Sequence, residues 1–210
     1  MLDNIEALCH SSIRIDKEKV IYIDPFHLKQ NYNDADIILI THSHYDHFSE
    51  EDIKKVIKSN TKIYVTRDLI EKTKKLGFKE NNIILVNPEE KYYEDSIEIR
   101  TIRAYNINKN FLPKENNWVG YILKIEDIIY YIAGDTDITE ENQNVKCDIA
   151  FVPVGGTYTM TAEEAATLIN RIKPKIAIPI HYGEIVGSKQ DAEIFINKLD
   201  KEIKGKILIK

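Results

Sequence analysis

Three histidines and one aspartate lie within the short run His42-Ser43-His44-Tyr45-Asp46-His47. Imidazole nitrogens and carboxylate oxygens are donors that divalent zinc takes, and clustering them brings no benefit to an apolar core. A set of surface polar residues is the alternative, but such density is rare without a ligand. Four donors in one loop cannot all reach one ion with good geometry. The spacing therefore predicts that His42 and His44 face one metal ion and that Asp46 and His47 face a second.

The elements around this run place it on a turn between a strand and a helix. The apolar residues 36–40 precede the run and predict a strand. A helix is predicted after Ser49, whose side chain can cap it together with Asp52. Such strand-to-helix turns are where α/β proteins bind ligands.

The pattern His-x-His-x-Asp-His after an apolar strand resembles the signature of the metallo-β-lactamase superfamily. The resemblance is closest to short members related to ascorbate-phosphate lactonase and to phosphodiesterase-like relatives. It implies an α/β (α+β) fold, a four-layer αββα sandwich, in a single domain over residues 1–210. It also implies two later ligands, each after a predicted strand. These are Asp135, which would bridge the ions after residues 128–133, and His181, which follows residues 176–180.

The sequence departs from the family pattern at one ligand position. The family has a histidine between the first cluster and the bridging aspartate, but no histidine occurs here between His47 and His181. The nearest candidate is Asn106, a neutral oxygen donor that suits zinc less well than imidazole. Asn106 as a metal contact and Asn106 as a turn residue remain equally open. The site with His42, His44, Asp135 and either Asn106 or water is expected to be weaker than the site with Asp46, His47, Asp135 and His181.

Two residues at earlier strand ends resemble motifs of the lactonase branch. Asp24 follows residues 20–23, and His10 follows Cys9. The resemblance implies that Asp24 orients a ligand imidazole and that His10 lines the pocket. The alternatives are a turn former and an exposed polar residue. His27 has no motif context and is expected to be structural or exposed.

A glycine-rich segment, residues 154–161, is the remaining candidate for substrate binding. The helix after it is predicted to begin at Thr161, with Glu164 completing a capping box. Backbone amides at a helix start can bind an anion. Thr157 and Tyr158 are therefore candidate contacts for a substrate phosphate or carboxylate. An ordinary strand-to-helix connection is the alternative, because Glu164 competes for the same positive potential.

Short apolar segments rich in Ile, Val and Tyr indicate a strand-rich chain with a few helices. The first half is predicted to be hairpin-like, and the second half to mix hairpins with strand-helix-strand units. Further helices are predicted over residues 67–76, 162–172 and 190–199. Strands are predicted over residues 5–9, 13–15, 20–23, 36–40, 62–65, 83–86, 97–103, 118–125, 128–133, 149–152, 175–180 and 206–209.

Composition limits the class of protein and its partners. With 210 residues, 43% hydrophobic and 30% charged, the chain is long enough for one globular core. The formal charge of -5 disfavours nucleic acid as a partner. Cys9 and Cys147 are too few for a disulfide framework. Residues 1–10 lack a positively charged segment followed by an apolar stretch, and no apolar run approaches about 20 residues. A cytoplasmic protein without a membrane partner is expected.

These features predict a zinc-dependent hydrolase, lactonase-like or phosphodiesterase-like, that uses a metal-bound hydroxide to cleave a small ester, lactone or phosphoester. Asp46 would orient the hydroxide and Asp135 would bridge the metals. One or two zinc ions are expected, with manganese and iron competing for the same donors. The expected partner is a small-molecule substrate, for which an anionic group is one of the options. Two alternatives stay open: a phosphodiesterase or nuclease of the same fold, and a metal-binding protein without turnover.

Overall fold

The computed structural model describes residues 1–209, which group into two compact units. The first unit contains residues 1–87 and Ile209, and the second contains residues 88–208. The single domain expected over residues 1–210 stays a prediction, and Lys210 lies outside the described residues. In the part of the chain that the structure describes, no helix combines the length and apolar composition needed to cross a bilayer.

The first unit is built on a six-stranded sheet in which the strands follow their chain order. The first three strands form an antiparallel meander, and the third to sixth strands are parallel. The strands are β1 (Ile5–Cys9), β2 (Ser12–Asp16), β3 (Val20–Ile23), β4 (Ile37–Leu39), β5 (Lys62–Val65) and β6 (Ile83–Leu85). Because β1, β3 and β4 run in the same direction, residues that follow them lie at one edge of the sheet.

Two short helices cover this sheet, and the first shows why the local sequence folds as it does. Helix α1 (Glu50–Val56) begins at Ser49, whose hydroxyl accepts a hydrogen bond from the Asp52 amide, as predicted. Its Ile53 and Val56 are fully buried in the core of the unit. Burial of each such apolar side chain contributes about 1.5–3 kcal/mol to the free energy of folding. Helix α2 (Ile70–Lys75) follows a 3₁₀ turn at Arg67–Leu69, and a second 3₁₀ turn spans Glu80–Asn82.

The second unit is built on a seven-stranded sheet, again with strands adjacent in chain order. Its first four strands are antiparallel and the fourth to seventh are parallel. The strands are β7 (Lys91–Glu94), β8 (Ile97–Arg103), β9 (Val119–Ile125), β10 (Ile128–Ile132), β11 (Ile149–Pro153), β12 (Ile176–Ile180) and β13 (Lys204–Gly205). The helices are α3 (Ala162–Ile172) and α4 (Lys189–Asn197), with 3₁₀ turns at Lys114–Asn116 and Asn142–Asn144. The capping box of Thr161 and Glu164 is confirmed.

Several predicted elements differ from the structure. The prediction of hairpins throughout the first half is wrong for β3 to β6, which are parallel. The helices between these strands have only seven and six residues, too few for a clear helical period. The strand predicted over residues 206–209 is also wrong, because Lys204–Gly205 forms the pairing with β12. No pattern in the sequence predicted β7, a four-residue strand with two exposed residues and little apolar character.

Candidate metal centre

The histidine-rich run of the first unit lies beyond the carboxyl end of β4 and brings its donors together as two pairs. His42 Nε2 lies 3.0 Å from His44 Nδ1. His47 Nε2 lies 3.4 Å from Asp46 Oδ2. The rings of His42 and His47 are 4.0 Å apart between centroids, and both residues are buried. The assignment of these two pairs to two separate metal ions stays a prediction.

A buried carboxylate at the end of β3 fixes the orientation of two of these rings. Asp24 Oδ2 is 2.7 Å from His47 Nδ1 and accepts the Thr41 hydroxyl at 2.6 Å, while Oδ1 accepts the Thr41 amide at 2.8 Å. Because Thr41 donates its one hydroxyl proton to Asp24, its Oγ1 accepts from His42 Nδ1, 3.0 Å away. The hydrogen-bond network therefore assigns the Nδ1-protonated tautomer to both rings and leaves Nε2 as the electron-pair donor.

No pattern in the sequence indicated a role for Thr41. The position of Thr41 directly before His42 was the one feature of the sequence that could have indicated such a role. This position alone does not show whether the hydroxyl of Thr41 bridges two side chains or belongs to an ordinary residue at a strand end. Burial raises the pKa of Asp24, although His47 and Thr41 lower it in part. Asp24 also has a left-handed backbone, with φ at 44°. Such a conformation in a non-glycine residue is maintained by surrounding contacts, here those with Thr41 and His47.

The other two histidines of the first unit have different environments. His10 is fully buried after β1, and its Nε2 lies 3.3 Å from Asp46 Oδ2. It therefore sits beside the donor cluster. His27 is exposed and its ring stacks on Phe26 at 3.9 Å.

In the second unit, topology brings together two donors that are distant in sequence. Asp135 follows β10 and His181 follows β12, and Asp135 Oδ2 lies 3.1 Å from His181 Nε2. Strand β11 separates their strands, so the two backbones are about 9.5 Å apart in the sheet and the side chains reach across. Gly155, just beyond β11, makes room: a Cβ atom there would lie 2.4 Å from the His181 carbonyl oxygen.

Asn106 holds together two loops of the second unit. Its Nδ2 donates to the Tyr158 carbonyl oxygen at 3.0 Å, and its Oδ1 accepts the Leu112 amide at 3.1 Å. Both ends of the side-chain amide thus bind backbone groups. A metal contact for Asn106 stays a prediction.

The amides of the glycine-rich segment have partners of their own. The Gly156 amide donates to the Met160 carbonyl oxygen, and the Thr157 amide donates to the carbonyl oxygen two residues earlier, both at 3.0 Å. Thr161 and Glu164 close the capping box. The predicted anion contacts of Thr157 and Tyr158 would therefore depend on their side chains.

Comparison with known proteins is consistent with this arrangement. Residues 4–181 match the family model described as the beta-lactamase superfamily domain. The UPF0173 metal-dependent hydrolase of Pyrococcus horikoshii is 29% identical over 95% of this chain and 98% of its own length. The UPF0173 metal-dependent hydrolase of Saccharolobus solfataricus is 33% identical over 83% of this chain and 77% of its own length.

Solved structures show the same fold. A candidate metal-dependent hydrolase from Parabacteroides distasonis has a TM-score of 0.81 and 30% identity, covering 98% of this chain and 93% of its own. The metallo hydrolase Igni18 from Ignicoccus hospitalis has a TM-score of 0.78 and 22% identity, covering 98% and 94%. The predicted metallo-β-lactamase-like fold class is confirmed, whereas the link to ascorbate-phosphate lactonase stays a prediction. The chain therefore belongs to the metallo-β-lactamase superfamily, among its metal-dependent hydrolases.

Proposed function

We propose that this chain hydrolyses a small ester, lactone or phosphoester, using zinc ions held by histidine and aspartate side chains. The orientation of His42 and His47 by the buried Thr41 and Asp24 carries the proposal. Metal-ligating histidines almost always have their second ring nitrogen fixed by such a partner. The proposed ligands are His42, His44, Asp46, His47, Asp135 and His181.

The chemistry of the donor set fits zinc. Imidazole nitrogens and carboxylate oxygens make up the proposed donor set, and zinc accepts both. Manganese and iron accept the same donor types, so we expect metal availability to influence which ion is bound.

The residues around the donors supply the remaining elements of the reaction. When bound, zinc supplies a Lewis acid that polarises a carbonyl or phosphoryl oxygen and makes water acidic enough to ionise near neutral pH. Asp46 Oδ2 lies between His10 and His47, so its position is restrained from two sides. We assign to Asp46 the orientation of the attacking water, by accepting a hydrogen bond from it. Asp135, beside His181, would hold the metal through its carboxylate.

A small substrate agrees with the charge of the chain. The formal charge of -5 gives no general attraction for a phosphate backbone, which disfavours the nuclease alternative. A phosphodiesterase acting on a small molecule would use the same donors. A panel containing 4-nitrophenyl esters, γ-lactones and bis(4-nitrophenyl) phosphate separates these substrate classes directly.

The decisive experiment removes one proposed ligand from each unit. His44→Ala and Asp135→Ala are each expected to lower metal-dependent turnover on the order of a thousandfold and to reduce the bound metal measured by elemental analysis. His27→Ala and Asp127→Ala, both exposed, are the matched controls. Unchanged turnover and metal content in both single variants would refute the proposal.

A further inference from the structure

Two large apolar side chains are exposed on the loop between β8 and β9, residues 104–118. Ile107 is 53% exposed and Phe111 is 48% exposed. Single exposed apolar residues are common, but two on one short loop need a physical reason when the loop is held rigidly. The hydrogen bonds of this loop show that it is held in this way.

One set of hydrogen bonds fastens the loop to the segment that follows Asp135. Asp137 Oδ2 accepts the Ile107 amide at 3.0 Å, and Oδ1 accepts Lys109 Nζ at 2.5 Å. The Asp137 amide in turn donates to the Tyr105 carbonyl oxygen at 3.0 Å. Ile107 is therefore bonded directly to a residue two positions after the proposed bridging ligand.

A second set of contacts joins the loop to the glycine-rich segment. The rings of Phe111 and Tyr158 meet edge to face, with centroids 4.8 Å apart. Asn106 donates to the Tyr158 carbonyl oxygen, and the Met160 amide donates to the Thr136 carbonyl oxygen at 3.3 Å. We use the name apolar rim for the side chains of Ile107, Phe111 and Tyr158, which are carried on loops fastened beside Asp135.

The charges around the apolar rim indicate what kind of group it binds. The loop carries two cations, and each has an acidic partner: Asp137 neutralises Lys109, and Glu141 Oε1 lies 3.5 Å from Lys114 Nζ. The nearby Gly156 and Thr157 amides already donate to backbone carbonyls. The rim therefore offers apolar area without a strong anion-binding group, which favours an alkyl or aromatic substituent over a phosphate.

We infer that the apolar rim binds an alkyl chain of the substrate, so that the preferred substrates are carboxylic esters or lactones with a chain of several carbons. This inference rests on the proposed function and narrows its substrate class. Ile107 and Phe111 determine specificity and take no part in bond cleavage. Each methylene group buried against them should raise kcat/KM by up to about fourfold.

The experiment compares 4-nitrophenyl hexanoate with 4-nitrophenyl acetate, using the metal-loaded protein. The wild type is expected to prefer the hexanoate by about tenfold in kcat/KM, which corresponds to burial of roughly two methylene groups. Ile107→Ala and Phe111→Ala should each reduce this preference to about threefold or less, while turnover of the acetate changes little. Tyr93→Ala is the matched control, because Tyr93 is equally accessible but pairs with Glu98, near the opposite end of β8.

A binding measurement separates failure of this inference from failure of the proposed function. Sodium hexanoate, but not acetate, should shift the backbone amide resonances of residues 106–112 in ¹⁵N-labelled protein, whether or not the esters are cleaved. Absence of those shifts, or a chain-length preference that survives in both loop variants, would overturn the inference. Hexanoate-specific shifts without any metal-dependent turnover would count against the proposed function. They would still support binding of an alkyl chain by the apolar rim.

Discussion

At the amino ends of their parallel strands, the two units share one arrangement, an aspartate that contacts a backbone amide and a lysine, which we call the frame. At the carboxyl ends of these strands, the two units carry different polar residues. In the first unit, Asp36 stands directly before β4. Its carboxylate accepts the Val20 amide of the neighbouring strand at 2.9 Å and lies 2.7 Å from Lys58 Nζ. This lysine precedes the next parallel strand, so one carboxylate fixes three successive segments.

The second unit repeats this frame with different residues. Asp148 stands directly before β11, accepts the Ile129 amide at 2.9 Å and lies 2.8 Å from Lys175 Nζ. Lys175 directly precedes β12. The recurrence indicates that the frame supports strand alignment in either sheet and has no bearing on chemistry.

The carboxyl ends differ in how they orient their donors. The first unit concentrates donors in one loop and orients them through the Asp24 and Thr41 side chains. The second unit takes Asp135 and His181 from separate strands and depends on close backbone packing at Gly155. Side-chain substitutions should therefore disturb metal binding most directly in the first unit, and backbone crowding should do so in the second.

The largest effect is expected from crowding the second unit with Gly155→Ala. The new Cβ would meet the His181 carbonyl oxygen at 2.4 Å and Val186 at 2.9 Å, so the backbone has to move. We expect the free energy of unfolding to fall by about 3 kcal/mol, measured by urea denaturation. In Gly183→Ala, φ is 89° but nothing lies within 4 Å of the new Cβ atom. This variant should lower the free energy of unfolding by only about 1 kcal/mol. Equal losses in the two variants would show that space beside His181 is unimportant.

A smaller effect is expected from Asp24→Asn in the first unit. Asparagine tolerates the left-handed backbone, but its Nδ2 cannot accept the protons of Thr41 and His47 in place of Oδ2. Zinc affinity, measured by competition with a chromophoric chelator, should fall by about 10- to 100-fold. Thr41→Ser keeps the bridging hydroxyl and should bind zinc with nearly wild-type affinity. A stability loss without any change in zinc affinity would assign Asp24 to the fold alone.

The contrast between the carboxyl ends also explains which parts could be predicted from the sequence. The histidine cluster is local, so its residue types alone indicated a metal site, and which of its donors share an ion stays a prediction. The Asp135 and His181 positions could be proposed only through the family resemblance, because nothing local in the sequence brings two distant residues within 3.1 Å. The side-chain contacts of Thr41 likewise depend on β3 lying beside β4.

Strands with a clear pattern of apolar residues were predicted correctly from the sequence. Strands with few apolar residues were not. The bounds of β8 were predicted correctly because Ile97 and Ile99 alternate with polar residues and the β-branched Thr101 and Ile102 continue the segment. Lys91–Glu94 forms β7 through pairing with β8, and its own residues are mostly exposed. At the C-terminus, the strongest apolar run, residues 207–209, is not in a strand, since backbone pairing with Ile176 and Ala177 selects Lys204–Gly205 instead.

The smallest effect tests the shared frame, through Asp36→Asn and Asp148→Asn. Burial raises the pKa of Asp36, but the contacts with Lys58 and Val20 outweigh it, so the net pKa is lowered. Lys175 and the Ile129 amide lower the pKa of Asp148. A carboxylate whose pKa is lower in the folded state stabilises the fold above its unfolded pKa, and this contribution disappears as pH falls through the folded pKa.

Each of these two variants is therefore expected to lose about 1 kcal/mol of stability at pH 7, because the carboxylates are partly exposed and the ion pairs are screened. The difference from wild type should shrink progressively below about pH 4, where the unfolded aspartate is protonated. Urea denaturation at several pH values measures both quantities. If the frame is equivalent in the two sheets, the two pH profiles should have the same shape. A difference that persists at low pH in one variant only would show that the carboxylate there acts through shape and not through charge.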